Sequence, residues 1–166
     1  MTPAPYSIRP ARPDEAQTLS ALACRSKAHW GYSAAFLAAC RDELTYSAEQ
    51  IGSQYFQFSV VEVNGTVIGF YALEPLSPAE MELEALFVEP KHIGQGYGRA
   101  LIEDAKRKAA ERGASVLIIQ GDPNAAAFYR AAGGRAIGQR ESDSIAGRFL
   151  PVFSIALENH RQKLDY

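Results

Sequence analysis

Leu86-Phe87-Val88-Glu89-Pro90-Lys91-His92-Ile93-Gly94-Gln95-Gly96-Tyr97-Gly98-Arg99 is the stretch from which this chain is best read. Its first residues finish a strand running from about Glu80 to Val88, which Pro90 ends. From Gly96 to Arg112 the spacing turns helical. Leu101, Ile102, Ala105 and Ala109 share one face, Lys106, Arg107 and Lys108 point largely outward, and Gly113 supplies the stop. A strand, a short loop and a glycine-rich helix start suit a phosphate ligand, because the first amides of a helix have no intrahelical partners and carry the positive end of its dipole. Glycines at 94, 96 and 98 remove side chains that would hold a diphosphate away from those amides. Interior helix glycines cost about 1 kcal/mol each. Close packing could account for one of the three, but less readily for all.

Upstream of this stretch the pattern predicts an antiparallel meander. Tyr55 to Val63 is rich in aromatic and β-branched residues, Asn64-Gly65 signals a type I′ hairpin, and Thr66 to Leu73 returns. A loop with Pro75 and Pro78 then leads to the Glu80–Val88 strand. Earlier still, Tyr6 to Arg9 alternates like a short strand, and Pro13-Asp14-Glu15 opens a helix striped by Leu19, Leu22, Ala23 and Ser26. Ser33 is placed to cap a second helix through Phe36, Leu37 and Cys40, and Ser47-Ala48-Glu49-Gln50 matches a capping box. Downstream, Ser115 to Gln120 reads as a buried strand. Asp122-Pro123 opens a helix ending at Gly133-Gly134, and a further loop leads to a last strand around Phe149 to Leu157. The polar tail from Glu158 onward is expected to fray.

The chain has 166 residues, 47% of them hydrophobic, enough for one domain spanning 1–166 with a sizeable core. A net charge of −2 lacks the basic footprint of a nucleic-acid-binding protein. No apolar run reaches the roughly 18 residues of a membrane span, and the start is not built like a signal peptide, so a cytoplasmic protein is expected. Cys24 and Cys40 form no CxxC pair and no metal spacing. A nucleotide P-loop would need GxxxxGK[ST], and a dinucleotide fingerprint GxGxxG; neither string is present, although Asp122 lies at a plausible distance for a ribose acid.

Ile93-Gly94-Gln95-Gly96-Tyr97-Gly98 resembles the main motif of the GNAT superfamily of N-acetyltransferases, [Q/R]xxGx[G/A] after a strand and opening a long helix. Ile93 is the departure, standing where the family usually has Gln or Arg. Asp122-Pro123-Asn124-Ala125-Ala126-Ala127-Phe128-Tyr129 is similar to the family's second signature, and the order of elements matches over almost the whole chain. The resemblance implies an α/β fold with a central, mostly antiparallel mixed sheet and helices on both faces. It implies acetyl-CoA as co-substrate, no metal, and transfer of acetyl to an amine of a small molecule, amino acid or protein. A non-catalytic acyl-CoA sensor is the alternative, and family members are often homodimers.

By the same resemblance, Leu86, Phe87 and Val88 offer backbone groups to pantetheine and the thioester oxygen. The coenzyme set continues through Ile93, Gly94, Gln95, Gly96, Tyr97, Gly98, Arg99, Asn124 and Phe128, and Lys91 and His92 are within the region where a coenzyme phosphate would lie. Tyr129 matches the general acid, although on its own it would read as a core aromatic; Asn124 would equally suit a helix cap. Glu82 is the first candidate base, and Glu84, two residues on, shares its strand face if no bulge intervenes. Either glutamate would also suit a solvated strand. His29, Trp30 and Tyr32 form a candidate wall of the acceptor site, or anchor a helical turn; Arg148 with Phe149-Leu150-Pro151 is another candidate wall. Neither cysteine lies in a recognisable motif, so direct transfer is expected.

Overall fold

The hairpin expected at Asn64-Gly65 forms, with φ of 53° and 79°, the left-handed pair that a type I′ turn demands. It joins β2 (Gln57–Val63) to β3 (Thr66–Ser77), and β4 (Glu80–Val88) returns antiparallel on the other side of β3. In this computed structural model, which describes residues 5–158, the meander is the centre of one seven-stranded sheet. The expected fraying of the tail concerns residues that, beyond Glu158, lie outside that range. With β1 (Ser7–Pro10), β5 (Val116–Gln120), β6 (Arg135–Glu141) and β7 (Phe149–Ala156), the strand order is β1-β2-β3-β4-β5-β7-β6. Only β4 and β5 run parallel.

Two strand expectations need correction. β3 was expected to end at Leu73, with Pro75 in a loop; it continues to Ser77. The partner of Leu73 is Gln57, the first residue of β2, so β3 is an open edge beyond that point and a proline is tolerated there. The Pro75 carbonyl instead accepts from the Tyr55 hydroxyl, 3.2 Å away. Residues 135–141, read as loop, form β6. All seven are exposed, the register shifts between Ala136 and Gly138, and no apolar alternation marks the segment. It is the outermost strand, and its charged residues suit an edge.

The helices cap as expected. Pro13–Glu15 makes a 3-10 turn into α1 (Ala16–Ala28), whose Leu19, Leu22, Ala23 and Ser26 are buried. Ser33 accepts from the Phe36 amide at the start of α2 (Ala34–Ala39), and Ser47 and Gln50 complete the box that opens α3 (Ala48–Gly52). α4 (Tyr97–Glu111) and α5 (Ala126–Ala131) follow the two motifs. No helix among the described residues is long and apolar enough to cross a membrane.

Alternate residues of the sheet feed two cores on opposite faces. Val61, Tyr71 and Leu73 pack with Leu101, Ile102 and Ala105 of α4, while Val60, Phe70 and Ala72 pack with Leu19, Leu22 and Ala23 of α1. Burial of this kind contributes about 1.5–3 kcal/mol per large side chain. β3, covered on both faces, accordingly reads as an unbroken apolar run from Ile68 to Leu73. Tyr71 also donates to Asp104 at 2.6 Å, a buried bond that fixes α4 over the sheet.

The site is positioned by what β4 and β5 do not share. Their pairing covers only Glu80–Glu82 with Val116–Ile118; beyond it β4 keeps β3 as a partner but has no strand on its other side. α4 begins at one lip of the resulting wedge and α5 at the other. At the end of α5, Gly133 takes the left-handed conformation and Gly134 donates to the Tyr129 carbonyl at 2.8 Å. A Cβ on Gly134 would stand 2.6 Å from that oxygen. Gly134→Ala is therefore expected to cost about 1–3 kcal/mol in urea denaturation, because the helix end must move.

Candidate active site

Between β4 and α4, Gly94 and Gly96 adopt φ of 84° and 94°, and Gly96 is the N-cap of the helix. The Ile93 amide bonds back to Pro90 and the Ala100 amide to Gly96. The six amides between them, Gly94 to Arg99, donate to no acceptor among the described residues. Nothing lies within 4 Å of where a Cβ on Gly94 would stand. Successive outward N–H groups at the positive end of a 15-residue helix make an anion-binding concavity. Arg99 is exposed beside them and pairs with no acid among the described residues. Gly98 serves packing instead. A Cβ there would sit 3.4 Å from the Phe128 ring, at van der Waals contact with α5.

The amides open onto a cavity of about 620 Å³ that fills the wedge. Leu86, Phe87 and Val88 line one side of it, and Asn124, Phe128 and Tyr129 also line it. Ile93, Gly94, Gly96, Gly98 and Arg99 border it too. Two residues of the motif do not: Tyr97 is buried in the core with edge contacts to Tyr6 and His92, and the Gln95 side chain turns to His92, 3.1 Å away. His92 borders the cavity, whereas Lys91, Cys24 and Cys40 do not.

Tyr129 is both core and lining. Its ring lies against Phe153, and a Cβ on Gly121 would touch it at 3.0 Å. Its hydroxyl bonds no protein group among the described residues and is not sealed from the cavity. Burial, then the Asp122 charge, pushes the phenol up, so it stays protonated at neutral pH. Asn124 is not the helix cap. Asp122 caps, accepting from the Asn124 amide at 2.9 Å, and the Asn124 Nδ2 donates both to Asp122 and to the Tyr32 hydroxyl.

Glu82 and Glu84 both border the cavity. The register slips between them: Leu73 faces Leu83 and Ala72 faces Ala85, leaving Glu84 as the extra residue of a bulge. Simple alternation therefore does not describe the pair. Arg140 on β6 donates to Glu82 at 3.1 Å, and burial raises the Glu82 carboxyl against that attraction. Glu84 is open to water in the cavity but enclosed by its walls. That enclosure, then the charges of Glu74, Glu82 and Glu43, pushes its carboxyl up to about 7.

Of the expected acceptor wall, Trp30 lines the cavity while His29 packs on it edge-on from outside, 5.4 Å away. Tyr32 does not line it. Its ring stacks on Phe36 at 4.1 Å and its hydroxyl joins a hub, donating to Asp122 and accepting from Arg148 at 2.9 Å. Lys27 closes the hub with a 2.6 Å bond to Asp122. Burial works against the Asp122 charge, but Lys27, the Asn124 amide and Tyr32 hold its carboxyl below the usual range. Asp122 thus meets a lysine, where the dinucleotide reading had it meeting a ribose. Of the second proposed wall, Arg148 and Leu150 border the cavity, but Phe149 and Pro151 do not. Lys27, Glu43, Glu74 and Arg140 were missed. Glu74 and Arg140 lie on strand segments read as loop, and Lys27 and Glu43 carried no motif.

Residues 23–133 match the Acetyltransferase (GNAT) family. The Escherichia coli K12 peptidyl-lysine N-acetyltransferase YjaB is 29% identical over 152 residues, covering 90% of this chain and 95% of that protein. A Pseudomonas putida amino-acid acetyltransferase is 36% identical over 74 residues, 44% of this chain but only 17% of that protein's length. The crystal structure of PaiA N-acetyltransferase from Thermoplasma acidophilum, a complex with coenzyme A, shares the fold with a TM-score of 0.73 at 16% identity, over 92% of this chain and 99% of that one. The chain belongs to the acetyltransferase (GNAT) family.

Removing Asp122 would leave Lys27, Arg148 and Tyr32 without their common acceptor in a largely buried place. Asp122→Ala is expected to lose about 2–4 kcal/mol of stability by urea denaturation. Asp122→Asn, which keeps acceptor capacity, is expected to lose less.

Proposed function

We propose that this member of the acetyltransferase (GNAT) family moves an acetyl group from acetyl-CoA to an amine of a small molecule, amino acid or protein, by direct transfer within the single domain 1–166. The observation that carries the reading is the run of six free amides, Gly94 to Arg99, of which Gly94, Gly96, Gly98 and Arg99 border a cavity that also holds raised carboxyls. When bound, the coenzyme supplies an acetyl thioester, and its diphosphate has the charge and the oxygens these amides need. Arg99 adds a cation beside them, and the unpaired side of Leu86–Val88 offers backbone groups along the wedge.

An amine attacks only as the neutral base. An ordinary glutamate near 4.3 faces an alkylammonium near 10.4 about six units uphill, roughly 8 kcal/mol. A carboxyl near 7 reduces that gap to about three units, roughly 5 kcal/mol, and desolvation of the ammonium lowers it further. Glu84 therefore takes the base role ahead of Glu82, which is held by Arg140. Tyr129, kept protonated, donates from its free hydroxyl to the departing sulfur. A phenol above 10 is a weaker acid than a thiol near 8.5, so it stabilises the thiolate by hydrogen bonding more than by complete proton transfer.

In thermal-shift titrations, acetyl-CoA should raise stability by about 2.7 kcal/mol at a hundredfold excess over its dissociation constant, while NAD and ATP do not. A shift with NAD or ATP alone would overturn the glycine-loop assignment. A shift without thiol release over a wide amine panel would leave the non-catalytic sensor. Tyr129→Phe should keep the acetyl-CoA shift and lose about a hundredfold in kcat.

Deprotonated Glu84 is the active form, so kcat/KM should rise with pH through about 7 and then level. Glu84→Gln should remove that limb. An unchanged profile would take Glu84 out of the mechanism.

A further inference from the structure

The wall of the cavity around Glu84 is more acidic than proton abstraction needs. Glu43, Glu74, Glu82, Glu84 and Asp143 all border the cavity. Arg140 compensates Glu82, and Asp122 offsets one of the two hub cations, Lys27 and Arg148, so the four other acids have a single positive charge left near them. The acids lie on four separate elements: Glu74 on β3, Glu82 and Glu84 on β4, Glu43 after α2, and Asp143 after β6. The fold thus gathers like charges that repel one another in the ligand-free protein. The Ser144 hydroxyl, 2.7 Å from Glu43, gives one of them a donor but no charge.

A second, independent feature points into the same space. Tyr46 borders the cavity and is only 6% exposed. Its ring is fixed edge-on against Phe58 and Phe70, at 5.7 and 5.4 Å. Its hydroxyl bonds no protein group among the described residues and is not sealed from the cavity. Burial, then the charges of Glu84 and Glu43, pushes this phenol up, so it stays protonated at neutral pH. A protonated phenol there has lone pairs free to accept from an ammonium.

We infer that the acceptor is a small amine carrying a second positive charge, a diamine or polyamine, whose spectator ammonium is held by Glu43, Glu74 and the Tyr46 hydroxyl. This rests on the acetyl-transfer reading above. The nitrogen that forms the amide bond, as the thioester C–S bond breaks, sheds two protons from its ammonium form. One passes to Glu84 and on to solvent; the other ends on the departing sulfur. A monoamine therefore surrenders its only charge during the reaction and leaves Glu43 and Glu74 uncompensated. A diamine keeps one cation against them throughout.

The test uses the full chain, an α,ω-diaminoalkane, the alkylamine of equal chain length, and a lysine-containing peptide. By thiol release with acetyl-CoA, kcat/KM for the diamine should exceed that for the monoamine by about tenfold or more at low salt. The advantage should shrink at high salt. Without coenzyme, the diamine alone should raise thermal stability. Glu74→Gln, Glu43→Gln and Tyr46→Phe should each weaken that shift and raise KM for the diamine, with the acetyl-CoA shift retained as the control for folding. Equal kcat/KM for diamine and monoamine, or preference for the peptide, overturns the inference while the acetyl-CoA shift and turnover keep the acetyltransferase reading. No acetyl-CoA shift at all overturns both.

Discussion

β4 and β5 pair in parallel over Glu80–Glu82 and Val116–Ile118, and then separate. An open sheet normally satisfies both edges of an inner strand. Here β4 runs on to Val88 bonded to β3 alone, with the cavity on its other side. The separation leaves β4 free to lead through a short turn into α4, while β5 leads through Asp122 into α5. Two helix starts and one unpaired strand edge are thereby brought to a single space, and nearly every group with a part in the proposed chemistry borders it.

The wedge is electrically divided. At the α4 lip the free amides and Arg99 present positive potential, suited to an anion; around Glu84 the carboxylates present the opposite sign. Unit charges 4 Å apart interact by about 4 kcal/mol at an effective dielectric of 20, so such groups could not both remain free if they were adjacent. A group that needs to be neutral and one that needs to be charged can therefore work in the same cavity. The hub of Lys27, Asp122, Tyr32 and Arg148, hydrogen-bonded within itself, contributes Lys27, Asp122 and Arg148 to the rim.

The sequence was most informative where local chemistry dictates local shape. Asn64-Gly65 and the Ser47–Gln50 box each specify a local conformation by themselves, and both formed. The buried faces of α1 and α4 were legible because helical spacing survives burial, whereas the cover on both faces of the sheet was implied only by the family resemblance. What could not be read depends on partners distant in sequence. β6 has no apolar pattern because it is an edge strand exposed along its length. The continuation of β3 past Pro75 depends on β2 beginning only at Gln57. The Lys27–Asp122 bond spans 95 positions and the Arg140–Glu82 bond 58, so no motif spacing announces either. The bulge that offsets Glu84 from Glu82 is a mismatch between two strands, invisible in either one.

α5 shows how these levels combine. Six residues make too short a helix to be stable in isolation. It nevertheless carries Phe128 and Tyr129, whose placement the proposed chemistry requires. The 3-10 turn Pro123–Ala125 that leads into it is capped by Asp122 within the hub, and its end is held by Gly133 and Gly134. Its flank is held by close packing, Phe128 against Gly98 and Tyr129 against Gly121. Glycines 121 and 134 thus act on the site by letting backbone approach an aromatic side chain or the end of its helix. Gly98 opens α4 beside the Phe128 ring, so the loop proposed to hold the coenzyme and the helix proposed to meet the leaving sulfur adjoin there.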